Sequence, residues 1–195
     1  MNVGLKELKI SVLAIGLLSV LAGGVYPLTV WAIGRLFFPE KADGSLIVAG
    51  GRVVGSSLLA QGFSDKRYFH PRPSAAERGY RTPPSGGHNL GPLSRRLQDD
   101  IRARIEAYRA ENGLGPEALV PADAATSSAS GLDPHISVAN ARLQARRVAQ
   151  ARGTTMAEIL RKIEAHTEGR TFGFLGEPRV NVLLINLDLE GIIEP

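Results

Sequence analysis

Residues 10–34, ISVLAIGLLSVLAGGVYPLTVWAIG, run without a charged side chain between Lys9 and Arg35. As a helix, a segment of roughly two dozen residues rises about 36 Å, more than the roughly 30 Å hydrocarbon core of a bilayer. The stretch predicts one tilted membrane crossing. Tyr26 and Trp31 fall in its last third, where amphipathic rings favour the headgroup region, and Pro27 can kink a bilayer helix without breaking it. A cleaved secretory signal shares the basic start at Lys6 and Lys9 and the small residues Ala22, Gly23 and Gly24. The apolar run nevertheless outlasts the roughly 7 to 15 residues of a signal's core, so an uncleaved anchor is expected. With no Cys to acylate, the chain is not a lipoprotein.

Outward from this helix, the chain reads as a tail over residues 1–9, a span over 10–34, a linker over 35–45 and a soluble domain over 46–195. The expected class is α+β: one N-terminal transmembrane helix followed by a mixed α/β soluble domain. For orientation, Lys6, Lys9 and the amino terminus weigh against Arg35, Lys41 and Arg52 under the positive-inside rule. A short tail ahead of a first span usually stays inside, which predicts a cytoplasmic N-terminus and a domain outside. The absence of Cys is compatible with an oxidising compartment. The rest of the chain is long enough for one ordinary domain with its own core. A net charge of +4 comes from 23 basic and 19 acidic residues, mostly Arg interleaved with carboxylates. There is no basic run with interleaved aromatics and no helix-turn-helix signature, which argues against nucleic acid as a partner.

Leu46–Ala60 carries two β-rich runs around Gly50-Gly51 and predicts a hairpin. Between Gly62 and Pro92, Pro, Gly, Ser and aromatics crowd together, predicting an irregular but ordered loop that packs on something. From Leu93 onward Leu97, Ile101, Ile105 and Tyr108 recur at helical spacing, with Pro92 before them and Asn112-Gly113 after. An amphipathic helix is expected there. Leu114–Leu132 shows no periodicity, and a loop of that length in a compact domain is usually functional or disordered. Ser137 can cap a second helix running to Arg152. Thr155 and Glu158 form a capping box for a third, with Met156, Ile159, Leu160 and Ile163 on one face and Gly169 at its end. Val180–Leu189 is apolar at almost every position, the pattern of a strand buried on both faces.

Loop amides that cradle a phosphate need Gly for close approach. Gly50–Ser57 comes near a phosphate-loop spacing but lacks the Lys, and a β-turn explains it. Ser85-Gly86-Gly87-His88 resembles the Ser-Gly-Gly-Gln core of a transporter ATPase signature, with His88 in place of Gln and Asn89 following. Ser85, Gly86, Gly87 and Asn89 are therefore candidates for nucleotide contact, against the plainer reading of a turn leading into the helix after Pro92. Ser130, Asp133 and His135 collect a hydroxyl, a carboxylate and an imidazole within a short stretch, as a membrane-anchored hydrolase would need. Triad members are seldom so close in sequence, no Gly-x-Ser-x-Gly elbow occurs, and Asp before Pro forms ordinary turns. Structural or interface use is the stronger reading. The four His residues show no metal-ligand spacing with a carboxylate, so no metal site is expected. Arg72, Arg170 and Arg179 read as loop anchors or contacts to a partner. No assembled active site is visible.

The wording of the loops supplies more. Val53–Phe63, Tyr68–Ala75, Ser85–Pro92, Val120–Asp123, Ser130–Ser137, Arg147–Ala149, Ala151–Gly153 and His166–Leu189 resemble, in order and over nearly the whole chain, the C subunit of the Kdp potassium-transporting P-type ATPase. Any one block would be weak evidence, but the ordered set is specific.

The resemblance implies a small, single-pass, non-catalytic accessory subunit of an ATP-driven, high-affinity potassium uptake complex in the inner membrane. Its implied partners are a channel-like potassium-conducting subunit, a P-type ATPase subunit and membrane lipid. The family's C subunit is described as an assembly factor and catalytic chaperone that raises the ATPase subunit's affinity for ATP. It implies no catalytic residue and no cofactor of its own; ATP is used by the complex, and the chain has no Asp-Lys-Thr-Gly phosphorylation motif. The positions carried over, as interface candidates, are Arg72, Ser85, Gly86, Gly87, Asn89, Asp133 and His135. A domain outside the cell cannot meet cytoplasmic ATP, so stabilising the transporter is the expected role rather than holding nucleotide.

Overall fold

The computed structural model describes residues 3–75 and 85–193, in two compact units that meet between Leu46 and Ile47. In the first unit, α1 (Val3–Val20), a π-helical turn (Leu21–Val25) and α2 (Tyr26–Phe37) follow one another without a break. Gly4–Phe37, 34 residues, is long and apolar enough to cross a membrane, and its side chains are almost all exposed. The helical stretch takes in residues 3–9 and passes Arg35 before it stops. Pro27 accounts for the π turn: with no N–H it cannot bond the carbonyl one turn back, and the preceding Gly23-Gly24 pair offers little resistance to a wider turn. Thr29 Oγ1 donates to Val25 O at 2.8 Å, satisfying a carbonyl at the end of that turn. A short turn, α3 (Pro39–Ala42), closes the unit, where Arg35 and Asp43 form an ion pair.

The second unit begins one residue inside the expected hairpin, β1 (Leu46–Ala49) and β2 (Arg52–Ser56). Gly50 and Gly51 sit at φ of 55° and 77°, the left-handed pair that a two-residue hairpin turn requires. α4 (Arg95–Asn112) begins later than the apolar spacing suggested: Ser94 is its cap, accepting the Leu97 N–H, and Leu93 lies outside the helix and exposed. The stretch predicted as a long loop contains a single helical turn, α5 (Ala122–Ala125), with Ala124 and Ala125 buried. β3 (His135–Ser137) leads into α6 (Val138–Arg152), which Ser137 caps as predicted. α7 (Met156–Ala165) starts on the Thr155–Glu158 capping box, and His166 rather than Gly169 stands at its end, because β4 (Thr167–Glu168) follows at once.

The run Val180–Leu189 is corrected. Only β5 (Arg179–Asn181) is strand, and Val182–Leu189 is a helix, α8. The Asn181 side chain decides the switch by accepting the N–H groups of Leu183 and Leu184 at 3.1 and 3.2 Å. A short run apolar at every position is equally a strand buried on two faces or a helix buried all round, and α8 is the second. β5 is the middle strand of an antiparallel sheet of order β3-β5-β4, with Ile136 opposite Val180 and Glu168 opposite Arg179. α6 packs on α7 and on that sheet. Phe69, Ile136, Ala145, Val148, Ile159, Val180 and Ile185 form the core.

Candidate functional site

The stretch after Gly62, read as an ordered loop, has no regular element over residues 62–75, while its portion over 76–84 lies outside the described residues. Three helical side chains stand in for a neighbouring strand. Asn186 on α8 accepts Phe69 N–H through Oδ1 at 2.8 Å and donates Nδ2–H to Phe69 O at 2.9 Å. Gln144 on α6 does the same for His70, at 2.7 and 3.1 Å. One turn away, Arg147 Nη1 donates to the carbonyls of Lys66 and Tyr68 at 2.7 and 2.9 Å. Burial of Phe69, fully enclosed, drives this docking, and the amide pairs satisfy the backbone that it carries inside.

The anchored loop presents Arg72 to Asp133, Nη1 to Oδ2, at 2.9 Å. The other Asp133 oxygen accepts His135 N–H at 3.0 Å and lies 3.5 Å from its Nδ1. Burial works against ionisation of Asp133, but the hydrogen bonds from His135 and Arg72 outweigh it and hold the carboxyl down at about 2. The series of polar contacts continues across the sheet. His135 Nε2 is 3.8 Å from Glu168, and Glu168 meets its cross-strand partner Arg179 at 2.8 Å. Arg72, Asp133, His135 and Arg179 line an open cleft of about 510 Å³, with Asp123, Ser137, Glu177 and Pro178 as further walls. Asp123 braces the floor from within, accepting the N–H and hydroxyl of Ser137 at 2.8 Å each and Asn140 Nδ2–H at 2.9 Å.

Of the seven predicted interface positions, Arg72, Asp133 and His135 therefore converge on one cleft. Ser85, Gly86, Gly87 and Asn89 belong instead to a turn that leans on the segment ahead of Asp133. Ser85 Oγ and Gly86 N–H both donate to Ser130 O, at 2.8 and 2.9 Å. A Cβ on Gly87 would come within 2.7 Å of Ala129 O, so close approach to the chain's own backbone accounts for that Gly. Asn89 takes a left-handed conformation, φ 49°, as turn Asn residues do. The hydroxyl and amide a phosphate would need are thus bonded within the chain. Both loop groups share the ridge 127–135, since Ser128 N–H donates to Pro73 O and Ser74 Oγ to Gly131 O.

Ser130, Asp133 and His135 do not assemble as a triad. Ser130 Oγ lies 3.1 Å from Ser128 Oγ and accepts Leu132 N–H, while the His135 ring turns to Asp133 and Glu168. Among the described residues no hydrogen bond joins Ser130 to His135, and no three His, Asp or Glu side chains are grouped to hold a metal ion. Sequence reasoning passed over Gln144, Arg147 and Asn186, which place the cleft. Their signal was polar side chains set on buried helical faces among Ala141, Ala145, Val148 and Ile185.

The family model described as KdpC, K+-transporting ATPase, c chain, matches residues 8–191. The potassium-transporting ATPase KdpC subunit of Mycobacterium tuberculosis (strain ATCC 25618 / H37Rv) is 51% identical over 172 residues, covering 88% of this chain and 91% of the relative. That of Myxococcus xanthus is 54% identical over 174 residues, 88% and 81% of the two chains. That of Koribacter versatilis (strain Ellin345) is 47% identical over 186 residues, 95% of each.

Proposed function

The chain belongs to the KdpC family, the c chain of potassium-transporting ATPases, and from that premise we propose that it is a non-catalytic accessory subunit of an ATP-driven, high-affinity potassium uptake complex. In this reading it stabilises assembly with a channel-like potassium-conducting subunit and a P-type ATPase subunit, and acts as a catalytic chaperone for the latter. Its single apolar helix crosses the inner membrane with the N-terminus cytoplasmic and the domain outside.

The observation that carries the proposal is the cleft. Arg72 is paired with Asp133 and Arg179 with Glu168, His135 lies between the two carboxylates, and the Ser137 hydroxyl on the cleft wall is held in place, donating to Asp123 and accepting the Asn140 N–H as the cap of α6. Such an arrangement suits recognition of another polar surface better than turnover of a substrate. An effect on ATP affinity then needs no nucleotide contact. If the subunit binds one conformation of the ATPase subunit more tightly, and ATP prefers the same conformation, each ligand strengthens the other by the same factor.

Purification of the tagged full-length chain in mild detergent tests the assembly role: both partner subunits should be recovered with it, and recovery of neither rejects the proposal. The chaperone role predicts that complexes lacking this chain need more ATP for half-maximal hydrolysis. Topology is read by a single cysteine at Leu119, which is 90% exposed. An impermeant reagent should label it in intact cells, and labelling only after lysis places the domain inside.

A further inference from the structure

The turn between β4 and β5 holds two aromatic side chains out in solvent. Phe172 is 84% exposed, Phe174 69% and Leu175 49%. The turn is closed by its own backbone: Thr171 and Leu175 exchange N–H···O bonds at 2.9 Å in each direction, and Gly173 N–H donates to Arg170 O at 3.0 Å. Phe172 takes the left-handed conformation at φ 54°, which is costly for a bulky residue and is held by the surrounding turn. Rings carried on a fixed frame lose little freedom on binding, the property expected of anchor residues.

We propose that Phe172, Phe174 and Leu175 form an apolar plug that enters an apolar socket on a membrane-embedded partner subunit, beside the Arg72–Asp133–His135 cleft. This deepens, and rests on, the assembly role proposed above. Two observations favour a protein socket over the bilayer. The plug is continuous with the cleft: Glu168, at the start of the turn, reaches both His135 and Arg179, and Glu177 and Arg179, at its end, line the cleft wall. The charges around the plug are also neutralised in pairs, Arg170 with Glu177 at 2.7 Å and Arg179 with Glu168 at 2.8 Å. A lipid-seeking loop would carry excess Lys or Arg toward anionic headgroups. An apolar centre inside a paired polar rim is instead the anatomy of a protein interface, where the rim keeps water from the buried anchors.

The test uses the full-length chain in its native membrane. Changing Phe172→Ala and Phe174→Ala together should lower the recovered partner subunits roughly tenfold or more, as expected for two interface anchors, without lowering the thermal unfolding midpoint of the purified chain. Changing both residues to Leu should restore most of the recovery. A photoreactive benzophenone amino acid in place of Phe174 should form an adduct with an apolar peptide of one partner subunit. Undiminished recovery with the double Ala chain, or adducts on lipid only, overturns the inference and leaves the assembly role standing. Failure of the wild-type chain to recover any partner removes both.

Discussion

Asn186 grips both backbone polar groups of Phe69, Oδ1 accepting its N–H at 2.8 Å and Nδ2 donating to its carbonyl at 2.9 Å, across a separation of 117 residues. Asn186→Leu roughly keeps the volume but leaves two enclosed backbone groups unpaired, which should cost about 2 to 5 kcal/mol. Chemical denaturation of the full chain measures it. A loss under about 1 kcal/mol would show that water replaces the amide.

The Asp133 carboxyl, held at about 2 by His135 and Arg72 against its burial, makes acid stability a reporter of the cleft. Because the folded value lies below the unfolded one, its stabilisation is complete above about pH 4 and is lost as pH falls toward 2, an amount of about 2 kcal/mol. Asp133→Asn should remove that pH dependence between about pH 4 and 2 and weaken the protein at neutral pH. Unfolding midpoints measured at a series of pH values decide it.

Neighbouring glycines in the Ser85–Asn89 turn should respond in opposite ways. A Cβ at Gly87 meets Ala129 O at 2.7 Å, so Gly87→Ala should destabilise by about 1 to 3 kcal/mol. At Gly86 a Cβ meets nothing within 4 Å, and Gly86→Ala should be neutral or slightly stabilising. Equal sensitivity at both positions would contradict this account of the turn.

Phe172 in its left-handed backbone predicts a trade between stability and assembly. Phe172→Asn, suited to that conformation and removing an exposed ring, should raise stability by about 0.5 to 1 kcal/mol while lowering recovery of partner subunits. A fall in the melting temperature would mean that the ring packs on its own domain.

Local signals translated well. The Gly50-Gly51 hairpin, the Ser137 cap and the Thr155–Glu158 capping box form where their residues stand, because each needs only neighbours a few positions away. Val180–Leu189 did not translate. Its apolar run suited a buried strand as well as a buried helix, and the choice rests on Asn181 capping α8 while its own backbone closes the sheet opposite His135. The interface candidates divided for the same reason. Arg72 meets Asp133 only because Gln144, Arg147 and Asn186, far along the chain, hold residues 66–70 in place.

Taken alone, the sequence determined the apolar helix near the N-terminus, the mixed α/β class of residues 46–195 and the family resemblance of the loops. Those are properties of composition, local spacing and ordered wording, which survive without knowledge of any long-range contact. The tertiary structure decided which of the marked residues share a surface, that Ser130 and His135 do not meet, and that Phe172 and Phe174 stand exposed on the turn that leads to Glu177 and Arg179 of the cleft wall. These turn on buried amide pairs between segments 74 and 117 residues apart, and on a strained turn, and neither leaves a periodic trace in the chain.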